Sequence, residues 1–183
     1  MKHSLSRSVA VLLVVCCAHA APLLRAQAAS QSDPAKVLDQ LLSNYEREFV
    51  SLAEAMPADK YNFAPTNGEF RGVRTFAEQV KHVTGANFSY YSSISNTPPA
   101  NMPQMSGLKS KDAIIAALKA SFAYAHQVTA TITAQNAFQP MGAGGRPHTR
   151  AGTAAAAIAH GFDHYGQMVV YLRMNGIVPP ASR

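Results

Sequence analysis

The chain has 183 residues, of which 48% are hydrophobic and 14% are charged. This composition supports a packed core and excludes a wholly disordered chain. The length is typical of one domain. No apolar run is long enough to cross a bilayer, so we predict no membrane span.

Residues 1–28 have the organisation of a secretory signal peptide. A basic start is followed by an unbroken apolar stretch over residues 9–17, which is too short for a transmembrane helix. Small residues then offer cleavage after Ala20 or after Ala28, and we expect the second because polar residues follow it. We therefore predict a mature domain of residues 29–183 that is secreted or periplasmic.

Loss of the signal peptide changes the charge and the available chemistry. It removes three basic residues and no acidic one, which lowers the formal net charge from +6 to +3. That charge is too small to indicate binding to nucleic acid. Both cysteines leave with the same segment, so a thiolate nucleophile or ligand is excluded from the mature chain.

The mature part shows two helical patterns before residue 100. The first runs from Pro34 to Met56, with Asp33 as its N-cap, and apolar residues recur in it at steps of three and four. These residues are Leu38, Leu41, Leu42, Tyr45, Phe49 and Leu52. A second helix is predicted from Thr75 to Ser95, because Thr75 and Glu78 have the spacing of a capping box.

Two further helices are predicted after a proline-containing crossover. The third begins near Ser110 and carries an apolar face as far as Ile132, and the fourth runs from Thr149 to Met174. Glycine- and proline-containing loops separate these segments, and residues 177–183 are expected to be extended. No strand pattern is evident, so the predicted fold is all-α, a four-helix bundle.

A histidine pair in the fourth helix is the first candidate for chemistry. His160 and His164 lie one turn apart on one face of the helix, close enough to share a metal ion. Ala157, Met168 and Tyr171 extend the same face, which indicates that the pair points into the bundle. Two core histidines without a metal would give the same spacing, and that alternative stays open.

A third ligand is expected on a neighbouring helix. His82 is the first choice, because Gln79, Ala86 and Ser93 beside it leave space for an ion. His126 in the third helix is the competing ligand. His148 falls in a loop and is expected to be solvated.

The pair also resembles the zinc-protease motif, in which a glutamate follows the first of two histidines. Gly161 stands at that position here, so proteolysis by that mechanism lacks its general base. Asp163 is the one carboxylate within the motif. It would either orient a ligand or face solvent.

Three segments together resemble the DinB/YfiT-like superfamily of four-helix bundles. They are RTFAEQVKH (residues 74–82), HGFDHYGQ (residues 160–167) and YLRMNGIVPP (residues 171–180). The resemblance covers about residues 33–182. It implies a divalent metal held by His82, His160 and His164, with nickel or zinc first and manganese or iron as alternatives.

Known activities of that superfamily are mostly thiol-linked, and include transferases and an isomerase that use mycothiol, bacillithiol or glutathione. The predicted export of this chain departs from that cytosolic setting, and the mature chain has no cysteine.

The signal peptide and the resemblance together predict an exported metal-dependent hydrolase or thiol-type transferase acting on an unidentified small molecule. The alternatives are a non-catalytic metal- or ligand-binding bundle and a purely structural histidine cluster. A homodimer is compatible with either function.

Overall fold

The computed structural model describes residues 33–142 and 148–183. The predicted signal peptide lies outside the described residues. Within them the chain forms four α-helices, as predicted: α1 (Pro34–Ala55), α2 (Phe76–Ser95), α3 (Lys111–Thr129) and α4 (Arg150–Met174). No helix of the described part is both long and apolar enough to cross a membrane.

Helix α1 begins and faces the core as its sequence predicts. The Asp33 side chain accepts a hydrogen bond of 3.0 Å from the backbone N–H of Ala35, which caps the helix ahead of Pro34. The predicted apolar residues are buried except Leu41, which is 48% exposed. Leu41 lies at the edge of the stripe, where periodicity alone does not separate a buried position from an exposed one.

Helix α2 is fixed at its start by the predicted capping box. The Thr75 hydroxyl accepts from the Glu78 N–H at 3.2 Å, and the Glu78 carboxylate accepts from the Thr75 N–H at 2.8 Å. The helix ends at Asn96, whose φ of 56° is left-handed. Of the two adjacent tyrosines in this helix, Tyr91 is fully buried and Tyr90 is partly buried.

Helices α3 and α4 begin at capping hydroxyls. Ser110 caps α3 by accepting from Ala113 N–H at 3.2 Å, and Thr149 caps α4 by accepting from Gly152 N–H at 3.1 Å. Helix α3 ends three residues earlier than the predicted apolar face, although Ile132 is still buried in the turn that follows.

Two details of the connections differ from the predictions. A two-residue antiparallel ladder joins β1 (Pro140–Met141) to β2 (His148–Thr149), just before α4. The C-terminal tail is not fully extended, because Pro180–Ser182 forms a 3₁₀ turn. Two further 3₁₀ turns, Ala58–Lys60 and Met105–Gly107, lie in the loops that flank α2.

The helices pack as a bundle around one core. Helices α1 and α2 each pack against both α3 and α4. Among the buried polar side chains is a chain of hydrogen bonds: Tyr45 donates to the side-chain carbonyl of Asn87 at 3.3 Å, and the Asn87 amide donates to Ser121 at 3.2 Å. This chain joins α1, α2 and α3 at one level of the bundle.

Candidate metal centre

Three histidines from two helices meet on one side of the bundle. His82 comes from α2, and His160 and His164 come from consecutive turns of α4. Their ring centroids are 5.1 Å apart for His82 and His160, 4.7 Å for His82 and His164, and 4.6 Å for His160 and His164. One nitrogen from each ring lies within 4.8 Å of the other two. We call these three residues the histidine cluster.

The protonation states of His82 and His164 are compatible with the binding of a cation. Burial, then the nearby Arg74 guanidinium and the two other rings, lower the pKa of His82 from 6.5 to about 4. Burial and then His160 lower the pKa of His164, against the opposing charge of Asp163. Both rings are therefore neutral at neutral pH, as a metal ligand must be.

The donor set and one unpaired atom also fit a metal. His164 Nδ1 is buried and has no hydrogen-bond partner within the described part of the chain. Such orphaned buried polar atoms are uncommon in native proteins. Imidazole donors suit zinc, nickel, copper and iron, and three histidines leave a coordination position open. The histidine cluster thus fits a divalent transition metal.

A chain of polar side chains borders the histidine cluster. The Gln79 amide donates to the Gln167 carbonyl at 3.0 Å, and the Gln167 amide donates to Asp163 at 3.1 Å. This chain links α2 to α4 beside the three rings. Asp163 is exposed and accepts a hydrogen bond from Gln167. Of the two alternatives predicted for this carboxylate, its position agrees with the one that faces solvent.

Gly161 has a packing role that the sequence does not reveal. A Cβ placed on Gly161 would lie 2.0 Å from Tyr45 Cζ and 2.2 Å from the Tyr45 hydroxyl oxygen. Glycine at this position therefore makes room for a buried ring of α1. A glutamate there would collide with that ring, so the general base of the zinc-protease motif is sterically excluded.

The two other candidate histidines lie elsewhere. His126 is held between two carboxylates of α1, with Nδ1 at 2.5 Å from Asp39 and Nε2 at 3.0 Å from Glu46. The prediction of His126 as a competing third ligand is therefore wrong, because both of its ring nitrogens are engaged in this contact. His148 lies in β2 and is exposed, as expected for a solvated residue.

A cavity of about 720 Å³ opens beside His82. Its walls come from the loop before α2, from one face of α2 and from the 3₁₀ turn at Met105, and they include Arg74 and Lys81. The sequence analysis did not predict a role for these two cations. Arg74 directly precedes the capping Thr75, so its position at the start of the helix that carries His82 could have identified it as a candidate site residue.

Comparisons with known proteins agree with this architecture. A model of the DinB superfamily matches residues 41–168. No curated protein gives a significant match. Among solved structures, a DinB-like protein from Bacillus cereus is 14% identical with a TM-score of 0.65, over 78% of this chain and 93% of that one.

Two further structures are similar. A DinB-like protein (YjoA) from Bacillus subtilis is 20% identical with a TM-score of 0.57, over 75% of this chain and 92% of that one. A conserved protein from Enterococcus faecalis is 14% identical with a TM-score of 0.57, over 74% and 92%. These likenesses concern the fold. Since the family model spans most of the chain and the helices match, the chain belongs to the DinB superfamily.

Proposed function

We propose that the protein binds a divalent metal ion through His82, His160 and His164 and uses it on a small molecule. The observation that carries this proposal is the approach of one nitrogen from each of three rings to within 4.8 Å of the others. Nickel or zinc is the first choice of metal, with manganese or iron as alternatives. We further propose that the protein acts after export, as the first 28 residues suggest.

The proposed reaction is hydrolysis or thiol-type transfer. A metal held by three histidines supplies a Lewis acid with open positions for water or substrate. Around it, the side chains of Gln79 and Gln167 are held by each other and by Asp163, which keeps α2 and α4 in a fixed relation beside the three rings. The cavity that His82 lines is the proposed place for the small molecule.

A non-catalytic metal- or ligand-binding bundle is the second candidate. It is favoured by one observation: over residues 33–142 and 148–183, no carboxylate or cysteine joins the three histidines in the metal-binding group. Metal binding without turnover is its expected signature.

Elemental mass spectrometry of the purified, untagged protein tests metal binding. We expect about one equivalent of metal, and its loss in His82→Ala and His160→Ala. His126→Ala is the matched control, because it removes a histidine outside the cluster and should retain the metal. Absence of metal after reloading, or equal loss in all three variants, would contradict the proposal.

Turnover is tested separately on the metal-loaded protein with ester, amide and thiol substrates. Turnover that exceeds that of His82→Ala supports the enzyme. Full metal content without turnover supports the binding protein.

A further inference from the structure

The cavity beside His82 carries an excess of positive charge. Arg74 is exposed and Lys81 is half-buried, and both line its wall. The ion pairs found in the described ranges involve Lys119 and His126, so neither Arg74 nor Lys81 has a carboxylate within 4.0 Å there. The two cations are therefore available to a molecule that enters the cavity.

The one acidic residue in the wall is already engaged. The Glu78 carboxylate accepts from both the N–H and the hydroxyl of Thr75, at 2.8 and 3.0 Å. Those bonds, with the charges of Lys81 and Arg74, hold the pKa of Glu78 below its ordinary value. Glu78 remains charged, but it is tied to the start of α2 and makes no ion pair of 4.0 Å or less with Arg74 or Lys81.

A hydrogen bond connects the backbone of Arg74 to the helix that carries two residues of the histidine cluster. The backbone carbonyl of Arg74 accepts a hydrogen bond of 2.9 Å from the hydroxyl of Tyr171, a buried residue of α4. The same helix carries His160 and His164.

Small side chains follow His82 along the part of α2 that lines the cavity; they are Gly85, Ala86 and Ser89. A Cβ on Gly85 would make an ordinary contact of 3.7 Å with Cγ of Met105, which also lines the cavity. The hydroxyls of Ser89 and Ser106 add neutral hydrogen-bond donors to the wall. The cavity thus offers space, two cations and hydroxyl groups next to His82.

We infer that this cavity binds small oxyanions, with a carboxylate or phosphate group of the ligand held by Arg74 and Lys81. A guanidinium presents paired N–H donors that match the oxygens of both groups, and an ammonium adds a mobile point charge. The inference deepens the proposed function and rests on it in one respect: the reactive part of the same molecule faces the histidine cluster.

Calorimetric titration of the purified, metal-free protein is the test, with succinate and inorganic phosphate as probes. Succinamide, which has the shape of succinate without its charge, is the ligand control. We expect one or both anions to bind and succinamide not to bind. Which anion binds distinguishes a carboxylate ligand from a phosphate ligand, and binding of neither overturns the inference.

Four variants make the test specific. Arg74→Ala and Lys81→Gln should each weaken anion binding about tenfold, the effect of losing a charged hydrogen bond. Glu78→Gln should tighten it, because the amide keeps an oxygen acceptor for Thr75 but removes the negative charge. Arg71→Ala is the matched control, since Arg71 is an exposed arginine of the same loop outside the cavity wall. Equal weakening in Arg71→Ala and Arg74→Ala would overturn the inference.

Metal uptake, measured after the same protein preparations are reloaded with zinc or nickel, separates the two proposals. Anion binding by a protein that takes up no metal on reloading refutes the proposed metal site and leaves the oxyanion cavity standing. Uptake of about one equivalent of metal without anion binding refutes the cavity alone.

Discussion

The ring of Tyr45 in α1 lies directly against the backbone of Gly161 in α4. A methyl group on Gly161 would come within 2.0 Å of the ring. Tyr45 has no free space to retreat into, since it is fully buried, with its ring 4.8 Å from Phe122 and 5.7 Å from Phe49, centroid to centroid. This close approach connects the chemistry of α4 to the packing of α1.

Gly161→Ala should therefore destabilise the protein, although alanine favours a helix. Overpacking of a filled core costs about 1–3 kcal/mol, against a gain of about 1 kcal/mol in helix propensity. Gly166→Ala in the same helix is the control, because a Cβ there meets no atom within 4 Å and should stabilise by about 0.5–1 kcal/mol. Urea unfolding measures both. Equal stability of the two variants would show that Tyr45 relaxes freely.

Loss of the buried Asn87 side chain should destabilise the protein more than loss of the hydroxyl group of either of its partners. Asn87→Ala leaves the hydroxyls of Tyr45 and Ser121 without it and opens a void, so we expect a loss of about 2–4 kcal/mol in the free energy of unfolding. Tyr45→Phe should cost about 1 kcal/mol. The double variant should cost less than the sum, because the two residues share a bond. Strict additivity would argue against that bond.

His126 should make the stability depend on pH. Burial lowers its pKa, but the hydrogen bonds and charges of Asp39 and Glu46 outweigh burial and raise the pKa above 6.5. The resulting stabilisation is full below pH 6.5 and is lost as the pH rises through the raised value. The groups are partly exposed, so we expect only about 0.2–1 kcal/mol. Unfolding of the wild type and of His126→Gln, measured from pH 5 to 9, should converge at high pH; a constant difference would contradict this account.

Metal should stabilise the folded state through the histidine cluster. Zinc or nickel at a hundred times its dissociation constant should add about 2.7 kcal/mol to the free energy of unfolding, and a chelator should remove this gain. The melting temperature of His82→Ala should not respond to the metal, whereas that of His148→Ala should. A response that persists in His82→Ala would place the metal elsewhere.

A larger side chain in the cavity should reduce anion binding without changing metal binding. Gly85→Leu places a larger side chain on the part of α2 that lines the cavity, beside Met105, so anion binding should fall while metal content stays at one equivalent. Gly85→Ala should keep both properties, because its Cβ makes only an ordinary contact with Met105. Anion titration and elemental analysis of both variants check this, and unchanged binding in Gly85→Leu would locate the anion outside the cavity.

Local signals in the sequence predicted the helices well. The Thr75–Glu78 spacing predicted the capping box of α2, and the step of four between His160 and His164 predicted that their rings share a face. These signals act within one or two turns of one helix, where geometry follows directly from spacing. The spacing did not predict the edge of the buried face of α1 or the end of α3. Leu41 is exposed although it belongs to the predicted apolar stripe, and α3 ends three residues before Ile132.

Relations between distant segments were not predictable in this way. His82 lies on α2, which packs against α4, whereas His126 lies on α3, which packs against α1 and α2. The choice between the two histidines depends on this packing, which local spacing does not predict. Asp39 and Glu46, far away in the sequence, engage both nitrogens of His126. Gly161 could be recognised as a missing base, but its contact with Tyr45 joins positions more than a hundred residues apart. That Arg74 and Lys81 line one cavity could not be predicted either, because the distant loop at Met105 forms part of the same wall.

The hydrogen bonds from Tyr45 through Asn87 to Ser121, together with the contact of Tyr45 on Gly161, bring all four helices to one level of the bundle. Each helix contributes one residue to these contacts. These contacts therefore fix the axial register of the helices. If one helix moved along its axis, a buried hydrogen bond would break or the Tyr45 ring would clash with the backbone of α4. Because His160 directly precedes Gly161, the same contacts set the position along the bundle at which α4 presents His160 to α2.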